Sequence, residues 1–184
     1  MSRRPAAERD PGDLALSWGD AYRLLGLPPG ELLKQCRQDR YQGPGPGGQK
    51  RNRVYSGIRL THAASGLQAS TSARREARRN LEDALHRLRL ELALAPPWDG
   101  EIGHPGTVGA SAAFRADANP RNEDFPRFAL LALHWLAWSR GRTVVAAGAL
   151  DCTASALVRF LKGDKALWVR FQSIRERNGL RPLK

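Results

Sequence analysis

The chain reads as an α+β protein in which a small sheet packs on one long helix and an all-α helical domain follows. Three observations predict this. Ile58, Leu60 and His62 alternate with Gly57, Arg59 and Thr61, the period of a strand with one face towards a core. Leu81, Leu85, Leu88 and Leu92 recur at steps of four, three and four, one apolar stripe along a helix. After residue 124 the composition turns helical and stays so to residue 184.

Taken in order, residues 1–13 are polar and read as a loose tail. Leu24, Leu25, Leu27, Leu32 and Leu33 predict one or two short helices, interrupted at Pro28-Pro29-Gly30. Pro29 suits the first turn of the second, where its missing N–H is no loss. Gln42 to Gly48 is glycine and proline and reads as a loop. Ala64-Ser65-Gly66 is a turn, and Leu67 to Thr71 is the return strand of a hairpin. The helix then runs over 74–94, with Arg74, Arg75, Arg78 and Arg79 in its first two turns. Cations there oppose the helix dipole, so their placement suits an anionic partner or a solvated arginine face. Residues 96–124 are rich in proline and glycine, lack periodicity and read as a linker.

Charge narrows the partner. Thirty Lys and Arg against 18 Asp and Glu give a net charge of +12, which favours a polyanion, most often nucleic acid. Residues 41–95 hold 10 of the cations and 4 of the anions, whereas residues 1–40 are nearly neutral. Cys36 and Cys152 fit neither a metal spacing nor a disulfide framework, so a reduced cytoplasmic setting and no bound metal are expected. The longest apolar run, Phe128–Trp138, contains His134 and is too short to cross a bilayer. A soluble protein without membrane contact is therefore expected.

The most specific stretch is Gly45-Pro46-Gly47-Gly48-Gln49, followed by Lys50-Arg51-Asn52-Arg53. Glycines let a main chain approach another molecule closely, and the cations beside them hold phosphates. The loop therefore suits a crowded, phosphate-rich site. Read without gaps, the pattern continues through Ser56, Ile58-Arg59-Leu60, His62, Ser65-Gly66, Arg75, Asn80, Ala84-Leu85 and Leu88-Arg89, with Asp39 and Tyr41 ahead of it. Over about residues 37–92 this resembles the catalytic domain of class I peptide chain release factors, with their shortened rescue-type relatives the nearest in pattern.

The resemblance implies ester hydrolysis of peptidyl-tRNA in the ribosomal peptidyl-transferase centre, without a cofactor. Gly47, Gly48 and Gln49 would be its catalytic residues. Glutamine does not titrate near neutral pH, so Gln49 is no general base. Its backbone N–H can donate to the oxyanion formed as water attacks the ester carbonyl, and its side chain can shape the pocket for water. Lys50, Arg51 and Arg53 would hold rRNA or tRNA phosphates. Asn52 is suited to base or sugar contacts or to capping local backbone. Arg59, in strand parity with Gly57 and Thr61, would face outwards to RNA, as would Arg74, Arg75, Arg78 and Arg79. No Ser/His/Asp set, carboxylate pair or zinc spacing lies nearby, and His62 reads as structural.

The chain departs from the family at several positions. Gln42-Gly43-Pro44 stands where relatives commonly have Arg-x-Ser, Gly57 replaces the usual Ala, and Glu76-Ala77 replaces Ser-Gln. Only about 40 residues precede the loop, and they hold no Pro-x-Thr or Ser-Pro-Phe type tripeptide, so hydrolysis independent of stop codons is expected.

Further on, Ala146-Ala147-x-x-Leu150-Asp151-Cys152-Thr153 and Leu157-x-Arg159-x-x-Lys162 are similar to a Fis-like helix-turn-helix. Its two helices would meet at Asp151-Cys152, with Thr153 as N-cap. Val145, Leu150, Leu157, Phe160 and Leu161 would form its core. Arg159, Lys162 and Lys165 would contact the phosphates of mRNA or DNA, unless the module only packs as a bundle with Phe128, Leu131, Trp135 and Trp138.

The expected organisation is thus an N-terminal tail with short helices over 1–36, a GGQ-type catalytic domain over 37–95, a linker over 96–124 and a helical domain over 125–184. The expected function is codon-independent peptide release during ribosome rescue, by a cytoplasmic monomer. The alternative is a non-enzymatic RNA- or DNA-binding regulator acting through the C-terminal helices.

Overall fold

A computed structural model describes residues 16–42, 55–98, 101–108 and 113–183. It is α+β, with one three-stranded antiparallel sheet in the order β1-β2-β3. The elements are α1 (Trp18–Gly26), α2 (Pro29–Lys34), β1 (Cys36–Tyr41), β2 (Gly57–His62), β3 (Gln68–Thr71) and α3 (Ala77–Leu94). A 3-10 turn (Pro105–Val108), α4 (Phe125–Trp138), α5 (Thr143–Ala149), α6 (Ala154–Lys162) and α7 (Lys165–Arg177) complete them.

The chain divides into two compact units. One contains Leu27–Glu91, and the other combines Ser17–Gly26 with Leu92–Lys184. In the sheet unit, Ile58 and Leu60 on β2 and Ala69 on β3 are buried, as are Ala84, Leu85 and Leu88 on α3. Strand alternation puts Ile58, Leu60 and His62 on the inner face and leaves Arg59 outside. His62 is buried, and its Nδ1 lies 2.7 Å from the Ser65 hydroxyl across the β2–β3 turn, the structural place read for it. Pro29 stands in the first turn of α2, as expected, and Gln35 ends that helix.

Strand β1 was not among the predicted elements. It pairs with β2 from Cys36↔His62 to Tyr41↔Gly57 and lies at the sheet edge. Its sequence, CRQDRY, is polar on both faces, which hides the period of two. Such charged residues suit an edge strand because they discourage further pairing.

In the helical unit, α4 is the central element, with eleven residues buried from Phe125 to Ala137. It contacts α1, α5, α7 and the 3-10 turn. Phe125 meets Phe160 of α6 at 4.9 Å between ring centroids. Arg140 and Gly141 then take positive φ, 53° and 76°, which ends the helix and reverses the chain. His134, inside the apolar run, is buried and stacks on Trp18 of α1 at 4.1 Å. Its Nε2 is 3.1 Å from the Gly103 carbonyl and its Nδ1 3.3 Å from the Tyr22 hydroxyl.

Residues read as a linker thus take part in the helical unit. Gly103 meets His134, and His104 stands edge-on to Trp135 and Trp138, each at 5.0 Å. Trp98 lies under the Arg170 guanidinium at 3.5 Å. Two expectations of packing change. Val145 is 46% exposed rather than in the core, because α5 turns Ala146, Ala147 and Thr143 inwards instead. Trp138, at 40% exposure, covers only part of its surface in the bundle.

Candidate active site

The glycine loop is the connection between β1 and β2. Residues 43–54, and with them Gly47, Gly48, Gln49, Lys50, Arg51, Asn52 and Arg53, lie outside the described residues. What the structure describes is the base from which the loop springs. Tyr41 and Gly57 face each other as the last pair of the β1–β2 ladder. A Cβ on Gly57 would stand 2.7 Å from the Tyr41 carbonyl oxygen and 2.9 Å from its ring. Real Cβ atoms do not come that close, so glycine is required here for close approach. The Tyr41 carbonyl and ring together occupy the room a methyl would need.

A second anchor comes from α3. Asn80 is fully buried. Its Nδ2 donates to the Ser56 carbonyl at 2.6 Å and to the Arg74 carbonyl at 2.9 Å, and its Oδ1 accepts from the Arg74 N–H at 2.8 Å. One carboxamide therefore fixes the C-terminal stem of the loop and the chain segment before α3. Sequence reading placed Asn80 in the family pattern without a role, because its partners lie 24 and 6 residues away.

The same contact corrects the start of the long helix. It begins at Ala77, not at Arg74. The Arg74 N–H and C=O are both held by Asn80, so Arg74 and Arg75 precede the first turn and only Arg78 and Arg79 lie in it. All four side chains are exposed. Arg74 pairs with Asp83 at 3.2 Å, Arg78 with Glu82 at 3.3 Å and Arg79 with Glu76 at 3.1 Å. Exposed pairs of this kind contribute about 0–1 kcal/mol and yield readily to a phosphate.

Arg59 is exposed on β2, as its parity predicts, with its guanidinium 5.6 Å from the Tyr41 ring centroid. Sequence reading missed Arg87. From α3 it donates to the Ser70 carbonyl at 3.0 Å, and with Arg59, Tyr41, Thr71, Ser72 and Ala73 it lines an open groove of about 410 Å³. Among the described residues, no three His, Cys, Asp or Glu side chains gather as they would around a metal ion.

Arg159, Lys162 and Lys165 belong to the helical unit. All three are exposed, the first two on α6 and Lys165 at the start of α7. Helices α5 and α6 meet at 99° across Asp151-Cys152. The Thr153 hydroxyl accepts from the Ala156 N–H at 3.1 Å, as the N-cap reading requires. Burial raises the Cys152 thiol pKa, with the Asp151 charge adding to it. Among the described residues, no single helix is long and apolar enough to cross a membrane.

Residues 32–96 match the family described as RF-1 domain. Over 60 residues the chain is 42% identical to "Peptide chain release factor 1" of Amoebophilus asiaticus (strain 5a2), and 38% identical to "Peptide chain release factor 1" of an Exiguobacterium species. Each alignment covers 33% of this chain and 17% of the relative, so the chain spans about a sixth of the length of the curated relatives it matches. No solved structure matches it.

Proposed function

From an RF-1 domain over residues 32–96, with the resemblance to GGQ-containing class I release factors that it bears out, we propose that the protein hydrolyses the ester of peptidyl-tRNA on the ribosome. One observation carries this most: Gly47-Gly48-Gln49 falls in a β1–β2 connection whose stems are held by the Tyr41–Gly57 pair and by Asn80. A loop with fixed stems can carry bare main chain into a narrow site without fraying its sheet. Gln49 then offers its backbone N–H to the developing oxyanion while its side chain restricts the pocket to water. Water and RNA hydroxyls carry the proton, since glutamine cannot.

Lys50, Arg51, Arg53, Arg59 and the arginines around the start of α3 neutralise rRNA and tRNA phosphates beside the loop. Asn52 contacts sugar or base. Release is independent of stop codons in this reading. The setting is the cytoplasm, and the protein acts as a monomer. Stalled ribosomes carrying a labelled peptidyl-tRNA test the proposal. The parent protein releases the peptide, and Gln49→Ala abolishes release without loss of ribosome binding. Equal release by both overturns the assignment.

A second reading draws on the helical unit. Residues 125–184 hold 11 Lys and Arg against 3 Asp and Glu. Arg159 and Lys162 stand on a capped helix set across its predecessor at 99°. This favours a contact with mRNA or DNA through Arg159, Lys162 and Lys165, either beside hydrolysis or in place of it, as in a regulator. Tight duplex DNA binding that survives deletion of residues 41–56, with no peptide release, would establish the regulator instead.

A further inference from the structure

The groove that runs from Tyr41 past Arg59 to β3 and Arg87 has a composition of its own. Tyr41, Arg59, Ser70, Thr71, Ser72, Ala73 and Arg87 line it, with two guanidiniums, several hydroxyls and no carboxylate. Asp39 stands opposite Arg59 across the ladder, but Arg37 already holds its Oδ2 at 3.1 Å. Arg59 therefore rests over the Tyr41 ring rather than in an ion pair. Arg87 lines the groove and uses one amino group on the Ser70 carbonyl at 3.0 Å, and a guanidinium has further N–H donors to offer a ligand. The volume of about 410 Å³ lies within the range of small-ligand sites, about 300–1,000 Å³. At one end stands Tyr41, the residue at which the glycine loop departs.

Two forked cations, hydroxyls and an aromatic ring in an open groove match the phosphate, sugar and base of a nucleotide in an extended strand. We infer that this groove holds a single-stranded RNA segment: Arg59 and Arg87 take one phosphodiester, and Tyr41 and the Ser70 and Ser72 hydroxyls meet the adjoining nucleoside. The inference rests on the proposed ribosomal function and adds to it an RNA-binding groove that starts at the stem of the glycine loop, with Arg87 as a residue not in that reading.

The test uses the full chain and a short fluorescein-labelled single-stranded RNA, followed by anisotropy over a range of salt. Arg59→Ala and Arg87→Ala each weaken binding by roughly 5–10-fold and flatten the slope of log affinity against log salt by about 0.7. Arg59→Lys keeps the slope but loses part of the affinity, because the charge remains and the fork does not. Tyr41→Phe guards against misfolding at that position and binds within about twofold of the parent if the ring rather than the hydroxyl is the contact. Arg115→Ala, in the helical unit and paired with Asp117 at 3.1 Å, leaves affinity unchanged. Equal losses from Arg115→Ala and the groove variants would mean diffuse attraction to net charge, and parent-like binding by Arg59→Ala and Arg87→Ala would empty the groove of its role. Either result overturns the inference. RNA binding and peptide release, both measured on the parent and on the groove variants, separate the two proposals. Loss of RNA binding in the groove variants of a chain that never releases peptide would sink the hydrolase and keep the groove.

Discussion

Asn80 on α3 and Ser56 at the foot of the glycine loop are joined by a 2.6 Å hydrogen bond that spans 24 residues of sequence. The same side chain takes both main-chain groups of Arg74, so three bonds converge on one buried amide. Asn80→Ala leaves the Ser56 carbonyl and both Arg74 groups without this partner. These groups are part-buried, and each one so stranded costs up to about 1–3 kcal/mol. Chemical denaturation of the variant should show a loss on the order of 3 kcal/mol, and peptide release should fall even where the variant is folded. Asn80→Asp tests the direction of the bonds. It can still accept from Arg74 but cannot donate to Ser56, and it should be nearly as damaging.

Gly57→Ala places a methyl 2.7 Å from the Tyr41 carbonyl oxygen. Overpacking of this kind costs about 1–3 kcal/mol. Adding Tyr41→Leu removes the ring contact at 2.9 Å but not the carbonyl. A double-mutant cycle on thermal stability should therefore show partial, not full, rescue.

Burial holds the His134 imidazole down to about 4, against an ordinary value of 6.5. In the unfolded chain it protonates near its ordinary value, while the folded chain keeps it neutral. The stability it contributes is therefore fully present above about pH 6.5 and is lost as pH falls towards 4. The total is on the order of 3 kcal/mol. Urea denaturation of the parent at several pH values in this window should show that decline, and His134→Phe should flatten it.

The Asp164 carboxylate accepts from the N–H groups of Ala166 and Leu167 at 2.9 and 3.0 Å and caps α7. Asp164→Ala should cost about 1 kcal/mol and Asp164→Asn or Asp164→Ser much less. Amide exchange in the first turn of α7 would register the difference.

Periodicity made β2 and α3 legible, because one face of each is apolar and the other polar, and the Ala64-Ser65-Gly66 turn made β3 legible as the return strand. It could not reveal β1, where Arg37, Gln38 and Arg40 are all exposed and no face is dry. The helix start at Ala77 was hidden for another reason: the residue that decides it, Asn80, acts through a tertiary contact and not through local propensity. At the site, residue type and spacing named the glycine loop and Arg59. Arg87 escaped notice because its partner, Ser70, lies 17 residues away on a different element. Val145 was placed in the core on its hydrophobicity alone, and a seven-residue helix has too few turns to say which of its sides faces in.

The pairing of Tyr22 with His134 links residues 112 positions apart within the helical unit. During synthesis at about 5–20 residues per second, the first helix leaves the ribosome roughly 5–20 s before the one that will cover it. Ala21, Leu24 and Leu25 wait for α4, whereas the sheet and its helix have all their parts once Leu94 has emerged. The domain that would free other nascent chains is thus complete before its own chain has finished emerging.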